Sequence, residues 1–294
     1  MSQPQLVPKV SPFRSRLNPA TIVQLIQLIL FMSLFTTARG QGNLLISPRR
    51  VVFEGSKRSM DLNLANTGKD TATYAISMVQ IRMTESGGFE TITEPDPGQR
   101  FADRYIRFFP RSVTLGPNEA QTVKIQLIRA NELTPGEYRS HFYFRSIPKP
   151  APLGQPEAPK DTTTISVRLT PVFGITIPAI IRVGESTAKV TLSDLSLDLA
   201  TDTLPRISMV FNRTGNMSVY GDISVDHISV QGKVTRVGIA NGVAVYTPNL
   251  KRSFQFSLNK LPGVDFRSGT IRVIFSASSD VAPVRLAEAE LPLK

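Results

Sequence analysis

The sequence predicts an all-β protein of two sandwich domains behind an N-terminal export segment. Three observations carry this. From Leu44 onward, short runs rich in Val, Ile, Thr, Phe and Tyr alternate apolar with polar residues at period two, the signature of half-buried strands. Gly, Pro, Asn and Asp clusters divide these runs at regular intervals. No window shows the 3.6-residue apolar repeat of an amphipathic helix.

The first forty residues hold Lys9, Arg14, Arg16 and Arg39 and no acid, and they lead into an apolar run from Ile22 to Phe35 interrupted by Gln24, Gln27 and Ser33. This is the pattern of an export signal with a long basic leader, and a cut after Gly40 would make Gln41 the mature start. The competing reading is a single membrane anchor, for which the run is short and contains two glutamines. Removal of residues 1–40 takes four positive charges from the formal +11. The remaining excess is scattered over strands, which gives no footprint for nucleic acid. There is no cysteine, so disulfides and thiolate metal sites are excluded.

The first domain, residues 41–182, begins with "RRVVFEG" and "SMDLNLANTG", the latter placing Met60, Leu62 and Leu64 on one face. "TYAISMVQIRM" repeats the alternation through Tyr74, Ile76 and Met78. In "YIRFFPRSVTLGPNEAQTVKIQLI" a proline-bearing turn delivers Val123, Ile125 and Leu127 inward. "GEYRSHFYFRSI" opposes Tyr138, Ser140, Phe142 and Phe144 to Arg139, His141, Tyr143 and Arg145, an aromatic face backed by a basic one. Five prolines between residues 148 and 161 predict an exposed loop. A long strand over "TTTISVRLTPVFGITIPAIIR", residues 162–182, closes the domain, its odd-numbered side chains from Ile165 to Ile177 apolar. About seven strands over residues 44–178 match the number and spacing of an immunoglobulin-like sandwich. The second domain, residues 183–294, offers seven further strands, with an Asn-Gly pair in "IANGVAVY" predicting a hairpin turn.

Nothing in the sequence supports catalysis. His141 and His227 fall in different domains without acidic neighbours at ligand spacing, no G-x-S-x-G surrounds a serine, and no glycine pattern cradles a phosphate. The chain is therefore expected to be no enzyme and to use no cofactor or metal. Function is expected at surfaces and strand edges, since an open edge on a natural sandwich is usually used.

Three segments in order, "ISPRRVVFEGSKRSMDLNLANTG" at 46–68, "FFPRSVTLGPNEAQTVKI" at 108–125 and "TPGEYRSHFYFRSIP" at 134–148, followed by the proline-rich loop and the alternating strand, resemble the periplasmic pilus chaperones of the chaperone–usher pathway. The resemblance covers residues 44–182; the C-terminal domain agrees in size and β character. It implies two immunoglobulin-like domains set at an angle, a periplasmic location, no enzymatic activity and a role in pilus or fimbrial biogenesis. Its implied partners are a secreted pilus or fibre subunit and an outer-membrane usher, without nucleic acid and without membrane insertion of the mature protein.

The implied mechanism is donor-strand complementation, in which the last strand of the first domain fills the groove of an incomplete subunit. By position, Arg50 in "PRRVVFEG" matches the cleft cation that holds the subunit's terminal carboxylate, and Ile165, Val167 and Leu169, extended by Phe173, match the donor residues. The competing reading of that row is core packing of a final strand. The chain departs from the family pattern in two places: nothing between Arg168 and Arg182 is basic, so the family's second cleft cation has no counterpart on this strand, and Pro171 interrupts it. A structural or adhesive fibre protein built of tandem sandwiches is the alternative.

Overall fold

The structure, a computed structural model, describes residues 43–148, 172–200, 204–277 and 283–293. The export segment, most of the proline-rich loop, and Ile165, Val167 and Leu169 lie outside the described residues. Among the described residues no helix is long and apolar enough to cross a membrane.

The first eleven strands are β1 (Leu44–Ser47), β2 (Val51–Phe53), β3 (Ser59–Asn66), β4 (Ala72–Val79), β5 (Ile81–Met83), β6 (Phe89–Thr91), β7 (Ile106–Phe109), β8 (Ser112–Leu115), β9 (Ala120–Leu127), β10 (Gly136–Ile147) and β11 (Gly174–Val183). They form a four-stranded sheet, β1-β3-β9-β7, a five-stranded sheet, β2-β11-β10-β4-β8, and a β5–β6 hairpin. The short strands β1, β5, β6 and β8 raise the number above the seven expected, because each is a three- or four-residue fragment too brief for its alternation to register. The two sheets close over the predicted core: Leu62, Leu64, Val123, Ile125 and Phe142 are completely buried. Phe108 and Phe142 meet edge to face at 5.2 Å. The Tyr138 hydroxyl accepts from the Thr134 backbone N–H at 3.0 Å, the tyrosine corner found in immunoglobulin-like sandwiches.

The second sandwich comprises β12 (Lys189–Asp198), β13 (Arg206–Thr214), β14 (Val219–Ile228), β15 (Val234–Val245), β16 (Lys251–Ser257), β17 (Thr270–Ala277) and β18 (Val284–Pro292). Sheets β12-β13-β16 and β15-β14-β17-β18 enclose Ile207, Phe211, Ile223, Val225 and Phe275, all buried. The chain is thus all-β, two immunoglobulin-like sandwiches in tandem.

One expectation is corrected. Asn241-Gly242 makes no hairpin: both residues lie inside β15, where the register against β14 slips between Ala240↔Ile223 and Val243↔Gly221. Gly242 adopts φ 73 and its N–H donates to Asp222 at 2.8 Å, so the pair that favours a tight turn here builds a β-bulge. The same positive-φ tolerance serves either purpose, and pairing with β14 on both sides selects the bulge. On the basic face of β10, Arg139 and His141 are buried, 2% and 4% exposed.

Candidate functional site: the face shared by the two sandwiches

Because β10 alternates, burial of Tyr138, Phe142 and Phe144 in the first core turns Glu137, Arg139, His141, Tyr143 and Arg145 to the outer face of the five-stranded sheet. Strand register fixes their neighbours. Arg139 lies opposite Ile180 of β11, which lies opposite Val52 of β2; His141 lies opposite Pro178. Arg50 immediately precedes β2. Part of this face meets the second sandwich through an apolar patch of Met83, Ile180, Ala244 and Tyr246, with Val52 and Tyr220 against it.

Around that patch the polar groups fall into two kinds. Glu137 is fully satisfied: one carboxylate oxygen accepts from Arg182 Nε at 3.2 Å and from the Ser218 backbone N–H at 3.0 Å, the other from the hydroxyls of Ser218 and, at 3.4 Å, Thr247. Arg182 also donates to the Ser218 carbonyl at 3.0 Å. Arg213, equally buried, spends its guanidinium on the carbonyls of Asn249 at 2.8 Å, Gly215 and Met217 at 2.9 Å each, and Pro248 at 3.4 Å. These groups hold the two sandwiches and the 247–249 loop in place.

The second kind is left incomplete. Arg139 donates Nη2 to the Thr247 carbonyl at 3.1 Å and stacks on Tyr246 at 4.3 Å, while its buried Nε and Nη1 have no partner. Arg50 stacks on Tyr220 at 3.6 Å, with Nε buried and unpartnered. Arg252 reaches the Ala244 carbonyl and likewise keeps an unpartnered Nε. Burial depresses the Arg139 and Arg252 guanidiniums, opposed for Arg139 by Tyr246 and Glu137. His141 is held neutral, its pKa lowered to about 3 by burial and then by Arg139, and its Nδ1 is unpartnered. Burial raises the Tyr246 phenol, while Arg50 and Arg139 pull it down, so both arginines act on one ring.

Arg50 thus lies on the Tyr220 ring, and both it and Arg139 act on the neighbouring Tyr246. Arg139, Glu137, Tyr220 and Tyr246 were not singled out by sequence. The alternation at 137–145 did place Arg139 and His141 opposite the aromatic core, but no local pattern says that Tyr246 and Thr247 of the second sandwich meet Arg139.

β11 supplies the other half of the site. Against β10 it pairs over its whole length, from Arg145↔Gly174 to Gly136↔Val183, whereas β2 covers it only at Ala179, Ile180 and Ile181. Among the described residues no strand lies along the other side of residues 174–178. Ile175 and Ile177 point into the first core, so the odd-numbered row is inward here. Phe173 precedes the strand, 40% exposed, with its carbonyl accepting from Ser146 N–H at 2.9 Å. Among the described residues no group of three or more His, Asp or Glu is placed to hold a metal.

No family model matches the sequence, and no curated protein matches it. Among solved structures, the chain is similar to the YadV chaperone, 13% identical with a TM-score of 0.42 over 85% of this chain and 100% of that one. It is similar to the Escherichia coli chaperone DraB, 14% identical with a TM-score of 0.39 over 85% and 96%, and to the Pseudomonas aeruginosa chaperone CupB2, 14% identical with a TM-score of 0.38 over 84% and 98%.

Proposed function

We propose that this protein is a periplasmic chaperone of the chaperone–usher type, which caps a secreted pilus or fibre subunit by lending it a strand and passes it to an outer-membrane usher. The observation that carries the reading is the open edge of β11 at 174–178, beside Arg50 and its unpartnered nitrogen. An extended segment of a client adds to such an edge through main-chain hydrogen bonds, and its terminal carboxylate suits a guanidinium fork. Upstream, the row that reaches Ile175 and Ile177 passes through Phe173, Leu169, Val167 and Ile165, the residues assigned to the client's groove. The N-terminal export pattern and a domain boundary after Arg182 belong to the same proposal.

The test is co-expression with a secreted fibre subunit that aggregates alone. A soluble one-to-one complex is expected, reduced at least tenfold by Ile165→Asp, Val167→Asp or Leu169→Asp, since each would bury a charge in the client's apolar groove. Undiminished capture by all three folded variants would rule out strand donation. Full capture by Arg50→Ala would remove the carboxylate anchor alone. Incorporation of this protein into the fibre would favour the structural alternative.

A further inference from the structure

We infer that Tyr143 is a positioning residue for the client: laid across Gly174, it braces the half of β11 that β2 leaves unsupported, so that a short ladder of main-chain groups stands ready-formed for an incoming strand. The ladder consists of the N–H and C=O of Gly174 and Thr176 and the C=O of Pro178. This role rests on the strand-addition reading and adds how the edge is held and which groups it offers.

Which groups face outward follows from the pairing with β10. The Phe173 carbonyl accepts from Ser146 N–H at 2.9 Å, and the Phe173 N–H donates to the Ser146 hydroxyl at 3.1 Å, so both main-chain groups of Phe173 point at β10. In an antiparallel ladder the direction alternates from residue to residue, which sends the odd-numbered groups of β11 to β10 and the even-numbered ones to its other side. Over Ala179 to Ile181 that side is taken by β2; at Gly174, Thr176 and Pro178 it is open among the described residues. Pro178 has no N–H to lose there, which is where a strand tolerates proline. Donors at Gly174 and Thr176, with acceptors at all three residues, therefore make up the free edge.

A strand paired on one side only and beginning at a glycine is prone to fray. Tyr143 opposes this. Its register partner on β11 is Thr176, and its ring crosses diagonally to lie over Gly174: a Cβ placed there would come within 2.2 Å of Tyr143 Cε2 and 2.6 Å of its hydroxyl oxygen. Glycine is what lets the ring come down onto the backbone, and an aromatic laid over a glycine of the neighbouring strand restores packing that the missing side chain forfeits. Gly174 is the only glycine of β11, so a slip of the strand would bring a side chain under the ring. The ring is half-buried on the outer face of the sheet and belongs to neither core among the described residues. It therefore steadies β11 without being needed by the sandwich as a whole. A ready-formed edge spares the client the ordering of that strand, and preorganisation of this kind raises affinity without adding a contact.

The experiment follows main-chain amide exchange by NMR, first in the mature chain alone and then in its complex with a secreted fibre subunit. In the chain alone, the N–H groups of Ile175 and Ile177 are expected to be protected by β10, and those of Gly174 and Thr176 to exchange freely. Tyr143→Ala should speed exchange at Ile175 at least tenfold, leave Ile181 unchanged and weaken subunit capture at least tenfold. Tyr143→Phe, which keeps the ring, should match the parent in all three. Gly174→Ala keeps the tyrosine but drives its ring off the backbone, and should reproduce Tyr143→Ala.

Unchanged exchange at Ile175 in both alanine variants would overturn the brace, and so would undiminished capture by variants whose Ile175 N–H has been freed. Should Tyr143→Ala fail to fold, Gly174→Ala gives the same two readings. Strand addition is judged separately in the parent complex, where the N–H groups of Gly174 and Thr176 should become protected. Capture without that protection indicts the strand-addition reading and the proposed ladder with it, while Ile175 still reports on the brace. Protection of both groups in the parent, with normal capture by the variants, indicts the positioning role alone.

Discussion

His141 is neutral in the folded protein because burial disfavours its charged form and Arg139 repels its proton, which brings its pKa to about 3 against an ordinary 6.5. The unfolded chain therefore binds one more proton than the folded one between those values. The stability from this residue is complete above pH 6.5 and is lost as pH falls towards 3, at about 1.4 kcal/mol per unit. Denaturant unfolding of the parent and of His141→Gln at intervals from pH 7 to pH 4 should show the parent's stability falling more steeply by about that slope. Equal slopes would mean that the imidazole is hydrated. At this scale the sequence disclosed identities and facing but not environment. The alternation of β10 told that Arg139 and His141 share a face opposite Phe142 and Phe144. Arg139 meets Tyr246 and Thr247, about a hundred residues away in sequence, and no periodicity encodes that.

β15 is the element at which local chemistry and pairing part company. Asn241-Gly242 carries a strong hairpin signal, yet the chain runs on as one strand because β14 offers partners before and after the pair. The bulge matters to the cleft, since a Cβ at Gly242 would stand 3.2 Å from the hydroxyl of Tyr220, the ring on which Arg50 lies. Gly242→Ala combines a left-handed backbone with that contact and should cost about 1–2 kcal/mol while disturbing Arg50. Gly221, opposite the bulge, needs no positive φ, but a Cβ there would come within 2.1 Å of the Ser276 carbonyl of β17. Backbone cannot swing aside as a side chain can, so Gly221→Ala should lower the melting temperature further than Gly242→Ala; the opposite order in thermal unfolding would contradict this packing.

The strands around these positions were legible because their alternation is long: Leu62 and Leu64, Tyr74 and Ile76, Val123 and Ile125 all face the core as read. The odd-numbered row of the last strand of the first sandwich holds as far as Ile175 and Ile177. What sequence could not give is that β2 protects only three residues of that strand, because the reach of a neighbouring edge depends on where the partner chain happens to turn.

Across the whole of residues 43–293 the two sandwiches are joined by more than the connection after Val183. Glu137 gathers Arg182, Ser218 and Thr247 about one buried carboxylate. On the other side, Asn249 donates to the Met83 carbonyl at 2.7 Å and Ser253 N–H to the Glu85 carbonyl at 2.7 Å, attaching the β5–β6 hairpin to the second sandwich. Replacing Glu137 with Ala removes the acceptor from several groups at once and should cost about 3–5 kcal/mol, as breaking a buried ion pair does. Calorimetry should then resolve two transitions where the parent gives one. A single cooperative transition in Glu137→Ala would place the coupling in the apolar patch around Ile180 instead.

The antiparallel pairing of β10 with β11 runs through ten positions, and β11 ends where Arg182 is fixed to Glu137. If a client adds to the open edge at 174–178 as proposed, a pull along the strand would load its own bonds to β11 in shear, so they would have to give way together while the β10 ladder holds β11 in place. Drawn sideways, the same client would peel from the open edge one bond at a time. The direction of pull alone would then decide whether such a grip is a clamp or a zip fastener, and a client so held would come away most readily under a force that arrives across the strand.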